Sequence, residues 1–181
     1  MIEQRIHRNV ILALISICIS LVIVSPAYCQ DDDTDAAPPP IKAVPKPEQD
    51  ELASEPSLKD RTRTTLTLMD SHIAAAERLS NSKDPNGAFK ELGMFEALVD
   101  DSVTFLEKKD TNNGKTLDAL RKLEIGLRGF MPRLETIRRI LPLNCDEYVR
   151  RLMGHLREAR AKAVDPMFSD SVVKTNGNHD Q

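Results

Sequence analysis

The chain of 181 residues has no tryptophan, five phenylalanines and two tyrosines. An arginine-rich chain with so few rings beside its arginines lacks the composition of a nucleic-acid reader. Cysteine is nearly absent too. Cys18 and Cys29 fall in the leading segment, and Cys145 is the third. Once that segment leaves, Cys145 has no intrachain partner, so disulfide staples are excluded. The fold must rest on its core, which the roughly 110 residues of 58–168 can supply. There is no Cys-x-x-Cys-His for haem, no HExxH, no Ser-His-Asp order and no glycine-rich phosphate loop. No useful length alternates with period two, which argues against strands. No cofactor is expected, and the chain reads as non-enzymatic.

The longest uncharged apolar run covers residues 10–24. It falls short of the roughly 20 residues that a spanning helix needs. Arg5 and Arg8 precede it, and Ser25-Pro26-Ala27-Tyr28-Cys29 follows. Basic start, apolar middle and small-residue end make a secretory signal. The favoured cut lies between Cys29 and Gln30, with Ala27 and Cys29 at the two small-residue positions. Tyr28 and Pro26 stand where a lipobox wants a small residue and Leu, so lipid anchoring at Cys29 is not expected.

Residues 30–57 carry eight acids and two bases and hardly any large apolar side chain. Such a stretch is expected to stay a disordered, acidic, Pro-rich linker. Residues 58–168 form the expected helical domain, and 169–181 a flexible polar tail.

Four helices are expected in that domain. The first covers about 58–79, with Ser57 and Asp60 as a capping box and Leu58, Leu66, Met69, Ile73, Ala76 and Leu79 on one face. The second covers about 85–108, capped by Asp84 with Pro85 at its first position. Its stripe is Ala88, Leu92, Phe95, Val99, Ser102, Val103 and Leu106. The third covers about 115–141, lined by Leu117, Leu120, Leu127, Met131, Leu134 and Leu141. Gly126, Gly129 and Pro132 interrupt it, so a kink or a split into two helices is expected. The fourth covers about 145–163, starting at an Asn144–Glu147 capping box and stopped by Asp165-Pro166. Tyr148, Leu152, Leu156, Ala159 and Ala163 face inward. Short connections favour antiparallel neighbours, so the fold class is all-α, an up-down antiparallel bundle of about four helices.

Charge is uneven along this domain. Residues 58–110 carry eight bases and ten acids, whereas 115–163 carry twelve bases and six acids. Nine of those twelve are arginines, which suit bidentate contacts. Arg128, Arg133, Arg138, Arg139, Arg150 and Arg151 make a candidate anion-binding patch for an envelope anion or a membrane surface. The competing expectation pairs an acidic row, Glu96, Asp100 and Glu107, with a basic row, Arg121, Arg128 and Arg139, across a seam between the second and third helices. Glu124 falls within an apolar stripe and needs a partner, for which Arg138 is a candidate. His72 and His155 lie beside apolar faces. A pocket joining them to Glu124 would mark a metal- or small-ligand-binding bundle, although the paired Glu-x-x-His pattern of di-iron bundles is missing. Residues 74–101 look somewhat like one tetratricopeptide-type hairpin, but no second copy is visible.

Leu123-Glu124-Ile125-Gly126-Leu127-Arg128, Pro132-Arg133-Leu134-Glu135 and Leu141-Pro142, with the surrounding 58–173, resemble exported helical proteins of unassigned function from soil bacteria. The resemblance implies a bacterial source and an all-helical domain. It carries no activity, ligand or site residue.

The leading expectation is therefore an exported, non-enzymatic interaction or scaffold protein of the bacterial envelope, meeting a protein or an anionic envelope component and no nucleic acid. Intact-mass analysis of the mature chain should give Gln30 as its first residue. A diacylglyceryl adduct on Cys29 would contradict this.

Overall fold

A computed structural model describes residues 36–111 and 113–169. The signal segment, Cys29, Gln30 and the tail beyond Ser169 lie outside the described residues. All regular structure among the described residues is helical: α1 (Lys46–Ser54), α2 (Leu58–Asn81), α3 (Pro85–Glu107), α4 (Gly114–Ile140) and α5 (Asp146–Ser169). A short 3-10 turn, Leu143–Cys145, precedes α5. No described helix is long and apolar enough to cross a membrane.

The starts of α2 and α3 follow the sequence expectation. Ser57 Oγ accepts from the Asp60 N–H at 3.1 Å and donates to the Asp60 carboxylate at 2.6 Å. Asp84 accepts from the Gly87 N–H at 2.9 Å, with Pro85 at the first helical position. The expected Asn144–Glu147 box is replaced by the 3-10 turn. There the Asn144 carbonyl accepts from the Ala37 N–H at 2.8 Å, and the Asn144 side chain accepts from the Cys145 thiol.

Three expectations are corrected. The linker is ordered where described: α1 is a fifth helix, and its Leu52 is buried among the core residues. Nine residues make too short a helix to persist alone in water. Leu52 and the polar contacts described below hold it. Second, of the two outcomes expected at Pro132 the split does not occur: α4 is one helix, with Pro132 inside it. Gly126 has a packing reason: a Cβ there would lie 2.4 Å from Leu66 Cδ2 of α2. Third, α5 runs past Pro166 to Ser169, and Met167 packs against the core. A proline this near the C-terminus costs one hydrogen bond of the last turns, which that packing offsets.

The core brings the expected stripes together, except that on α4 Leu123, Phe130 and Ile137 are buried while Leu117 and Met131, expected there, are only partly so. Met69, Ile73 and Ala76 of α2 meet Leu92, Phe95 and Val99 of α3, Leu127 and Leu134 of α4, and Leu152 and Leu156 of α5. Phe95 and Phe130 stack edge to face at 5.3 Å, and Phe89 and Tyr148 do so at 4.7 Å. Cys145 is buried, and desolvation raises its thiol pKa.

Neighbour relations differ from those expected. α2 packs on α3, and α4 on α5, as the short turns suggest. α2 also packs broadly on α4, α3 meets α5 over a narrower contact, and α3 and α4 barely touch. The charged rows of the second and third helices therefore do not meet. Glu96 and Asp100 turn to α5, meeting Tyr148 and His155, and Glu107 meets Lys162 there. Arg121, Arg128 and Arg139 pair within α4 instead, with Asp118, Glu124 and Glu135.

Candidate functional site

The apolar stripe of α3 carries one carboxylate, Glu96, one turn beyond Leu92 and three residues before Val99. It is 5% exposed. A carboxylate this deep needs partners. Tyr148 of α5 donates its hydroxyl to Oε2 at 2.7 Å. Lys42 places its ammonium 2.5 Å from Oε1. Burial, then the neighbouring Glu96, pushes the Tyr148 pKa far above the usual phenol range, so the hydroxyl keeps its proton and stays a donor.

Lys42 belongs to residues 36–45, which form no regular secondary structure and cross α3. Gly93 makes the crossing close: a Cβ there would stand 2.6 Å from the Ile41 carbonyl oxygen. Beside it, Phe89, Lys90, Met94 and Asn86 line a cleft of about 390 Å³ with Pro40 and Ile41. The segment is tied at one end by Ala37 to Asn144 and at the other by α1.

α1 is clasped in turn by His72. The imidazole is mostly buried, with Nδ1 2.6 Å from Glu91 Oε2 and Nε2 3.1 Å from Glu48 Oε1. Glu91 comes from α3 and Glu48 from α1. The two carboxylates sit on opposite nitrogens of one ring, a geometry that cannot converge on one metal ion. Arg61 of α2 adds a bond from Nη1 to the Leu52 carbonyl at 2.7 Å, while its Nη2 meets Asp101 at 2.9 Å.

The other sequence candidates are spread out. Glu124 is 6% exposed and accepts from Arg128, one turn on, and from Arg160 of α5, each at 2.8 Å. Its partner is Arg160 rather than the anticipated Arg138. Arg138 instead binds Glu135 and Asp146, and Arg139 shares Glu135. Arg150 shares Asp146, and Arg151 faces Glu147 at 4.0 Å. Arg133 reaches α2, meeting Glu77 through two bonds of 2.8 Å and Asp70 at 2.5 Å. Of the six arginines, the fold gathers Arg138, Arg139 and Arg150 around Glu135 and Asp146, and leaves Arg128 and Arg133 elsewhere. Arg138, then Arg139, holds the Glu135 carboxyl down to about 2.

His155 is partly exposed and lies 2.6 Å from Asp100. His72, His155 and Glu124 thus have three separate sets of partners, and the pocket that would join them does not form among the described residues. No group of three or more metal-ligating side chains gathers there either.

Sequence reasoning missed Lys42, Glu48, Glu91, Gly93 and Arg160. The signal for Glu96 is available in the sequence: an acid inside an apolar stripe demands partners, although the row reading turns it toward the third helix instead of Tyr148. No family model, curated protein or solved structure matches this chain. The resemblance drawn around residues 123–142 therefore rests on the sequence alone.

The Glu124 cluster has a pH signature. Arg128 first, then Arg160, holds its carboxyl below the ordinary 4.5. The unfolded chain takes up that proton at higher pH than the folded chain, so the contribution is full above 4.5 and is lost as pH falls through the lowered folded value. Glu124→Gln should lower unfolding free energy by about 1–2 kcal/mol at neutral pH, with Arg128 partly solvated. The gap to wild type should narrow on acidification in denaturant titrations. A pH-independent gap would assign Glu124 a packing role only.

Proposed function

We propose that this chain is an exported, non-enzymatic helical interaction protein of the bacterial envelope, and that its working surface is the groove across α3 and α5. One observation carries the reading: a Pro-rich stretch already lies in that groove, with a lysine on a buried Glu96–Tyr148 pair. Docking of an extended Pro-rich strand against aromatic side chains is a recurrent mode of peptide recognition. Here Phe89 and Met94 supply the apolar wall, Glu96 the polar anchor, and Gly93 room for the backbone.

The arrangement that supports this groove is an up-down antiparallel bundle made of two hairpins, α2–α3 and α4–α5, laid side by side. Arg61–Asp101 and His72–Glu91 tie α2 to α3 at positions that run in opposite directions. Glu124–Arg160 and Arg138–Asp146 do the same for α4 and α5. A bend of α4 at Pro132, whose missing N–H frees the Arg128 carbonyl, belongs to the same reading. Like helix stands beside like helix, so α4–α5 supplies the stacked second copy that the tetratricopeptide-like reading of residues 74–101 requires.

The test uses a labelled peptide of residues 36–45 added to the full mature chain. Wild type, with its own segment in place at high effective concentration, should bind it weakly. Lys42→Ala should bind it at least about tenfold more tightly, because the tethered competitor is weakened. Adding Gly93→Ala to that variant should abolish binding while the fold persists, since alanine favours a helix interior by up to about 1 kcal/mol. Equal, weak binding by all three proteins would contradict the groove.

A further inference from the structure

Eight of the nine arginines in residues 115–163 are matched by carboxylates, whereas three lysines clustered at one end of the molecule are not. Lys59, Lys115 and Lys122 line a cleft of about 410 Å³ between the first turns of α2 and α4. None of the three forms an ion pair within 4 Å among the described residues. The nearest acids are engaged elsewhere. Asp118, also in the cleft, faces Arg121 at 3.7 Å, and Asp60 is bound by Ser57 and Arg63. Both acids temper the field without removing it: the cleft lining holds three cations and one anion.

Two further features act in the same direction. α2 and α4 run side by side in the same sense, because Gly126 meets Leu66 and Arg133 meets Asp70 and Glu77 at similar steps along both helices. Their N-termini thus lie at the same end, and each adds positive potential to the cleft. The floor is apolar, built from Leu58 and Ala119. Ile125, one turn beyond Lys122 on the same face of α4, is 59% exposed and extends that apolar surface.

Three compact ammonium charges around a small apolar floor suit a ligand with several anionic oxygens next to a short carbon chain. We propose that this cleft binds a phosphate group carried on a carbon skeleton, either the headgroup of an anionic phospholipid or a soluble phosphate ester. Lysine provides the point charges, and Leu58 and Ala119 cover the first carbons. The volume takes a headgroup and a few carbons, a size within the range of small-ligand clefts. The site shares no residue with the groove under residues 36–45, so it stands or falls independently of that groove.

The experiment compares the full mature chain with two triple variants, Lys59→Gln/Lys115→Gln/Lys122→Gln and Lys83→Gln/Lys108→Gln/Lys109→Gln. The second removes three lysines outside the cleft. All six lysines are exposed, so unfolding midpoints should match wild type. Probes are phosphatidylcholine vesicles with and without about one third phosphatidylglycerol, monomeric dihexanoyl-phosphatidylglycerol, and glycerol phosphate. Binding to phosphatidylglycerol should fall at least about tenfold in the cleft variant and less than about twofold in the control. The same lysine-dependent loss seen for glycerol phosphate, with no vesicle binding, supports the soluble ester as the source. Binding of vesicles and of the short-chain lipid supports the membrane. Equal losses in both triple variants, or no binding of any probe, overturn the proposal.

Discussion

Much of this structure follows from one buried carboxylate. Glu96 sits in the apolar stripe of α3, where water cannot solvate it, and its two oxygens are served by Tyr148 of α5 and Lys42 of the N-terminal segment. An unpartnered polar group at that depth costs several kcal/mol in an apolar setting. The Lys42 contact therefore draws a stretch of unpromising composition onto the bundle. With Lys42 seated, the backbone passes over Gly93, Ala37 meets Asn144, and α1 falls where Leu52 and Glu48 find their sites.

The same logic of matched charge explains the arginine-rich half. Arg133 ties α4 to α2, Arg160 ties α5 to Glu124, and Arg138 bridges the end of α4 to the start of α5. Exposed pairs of this kind add little stability each. Their larger effect is to choose neighbours: the partners of Arg133 lie on α2, and those of Glu96, Asp100 and Glu107 on α5. Three of the cations left without an ion pair, Lys59, Lys115 and Lys122, gather around one cleft, which the arginines that dominate the composition do not line.

The four long helices were legible because each carries an apolar stripe over five or more turns and clear caps at Ser57 and Asp84. Residue faces were legible for the same reason: Tyr148, Leu152, Leu156, Ala159 and Ala163 are all buried. Which helices touch was not legible, since periodicity fixes a face but not the partner that covers it. The α2–α4 contact depends on Gly126 admitting Leu66, a pairing that no local pattern announces. α1 was invisible because it has a single large apolar residue, Leu52, in a stretch of Pro, Glu and Asp. Composition averages over the segment, while its order rests on Leu52 and two charged contacts. That Glu124 needs a partner was legible, but the candidate on sequence grounds was Arg138 and not Arg128, one turn on. Arg160, from α5, was not legible either.

The central claim is that residues 36–57 are part of the folded domain. Amide hydrogen exchange on the full mature chain at neutral pH tests it most directly. A nine-residue helix free in solution exchanges at close to random-coil rates. The account predicts that the amides of Lys46–Ser54, together with that of Ala37, are protected at least about a hundredfold, and that Lys42→Ala reduces this protection while α2 to α5 keep theirs. Random-coil exchange throughout this stretch in the wild-type chain would contradict it.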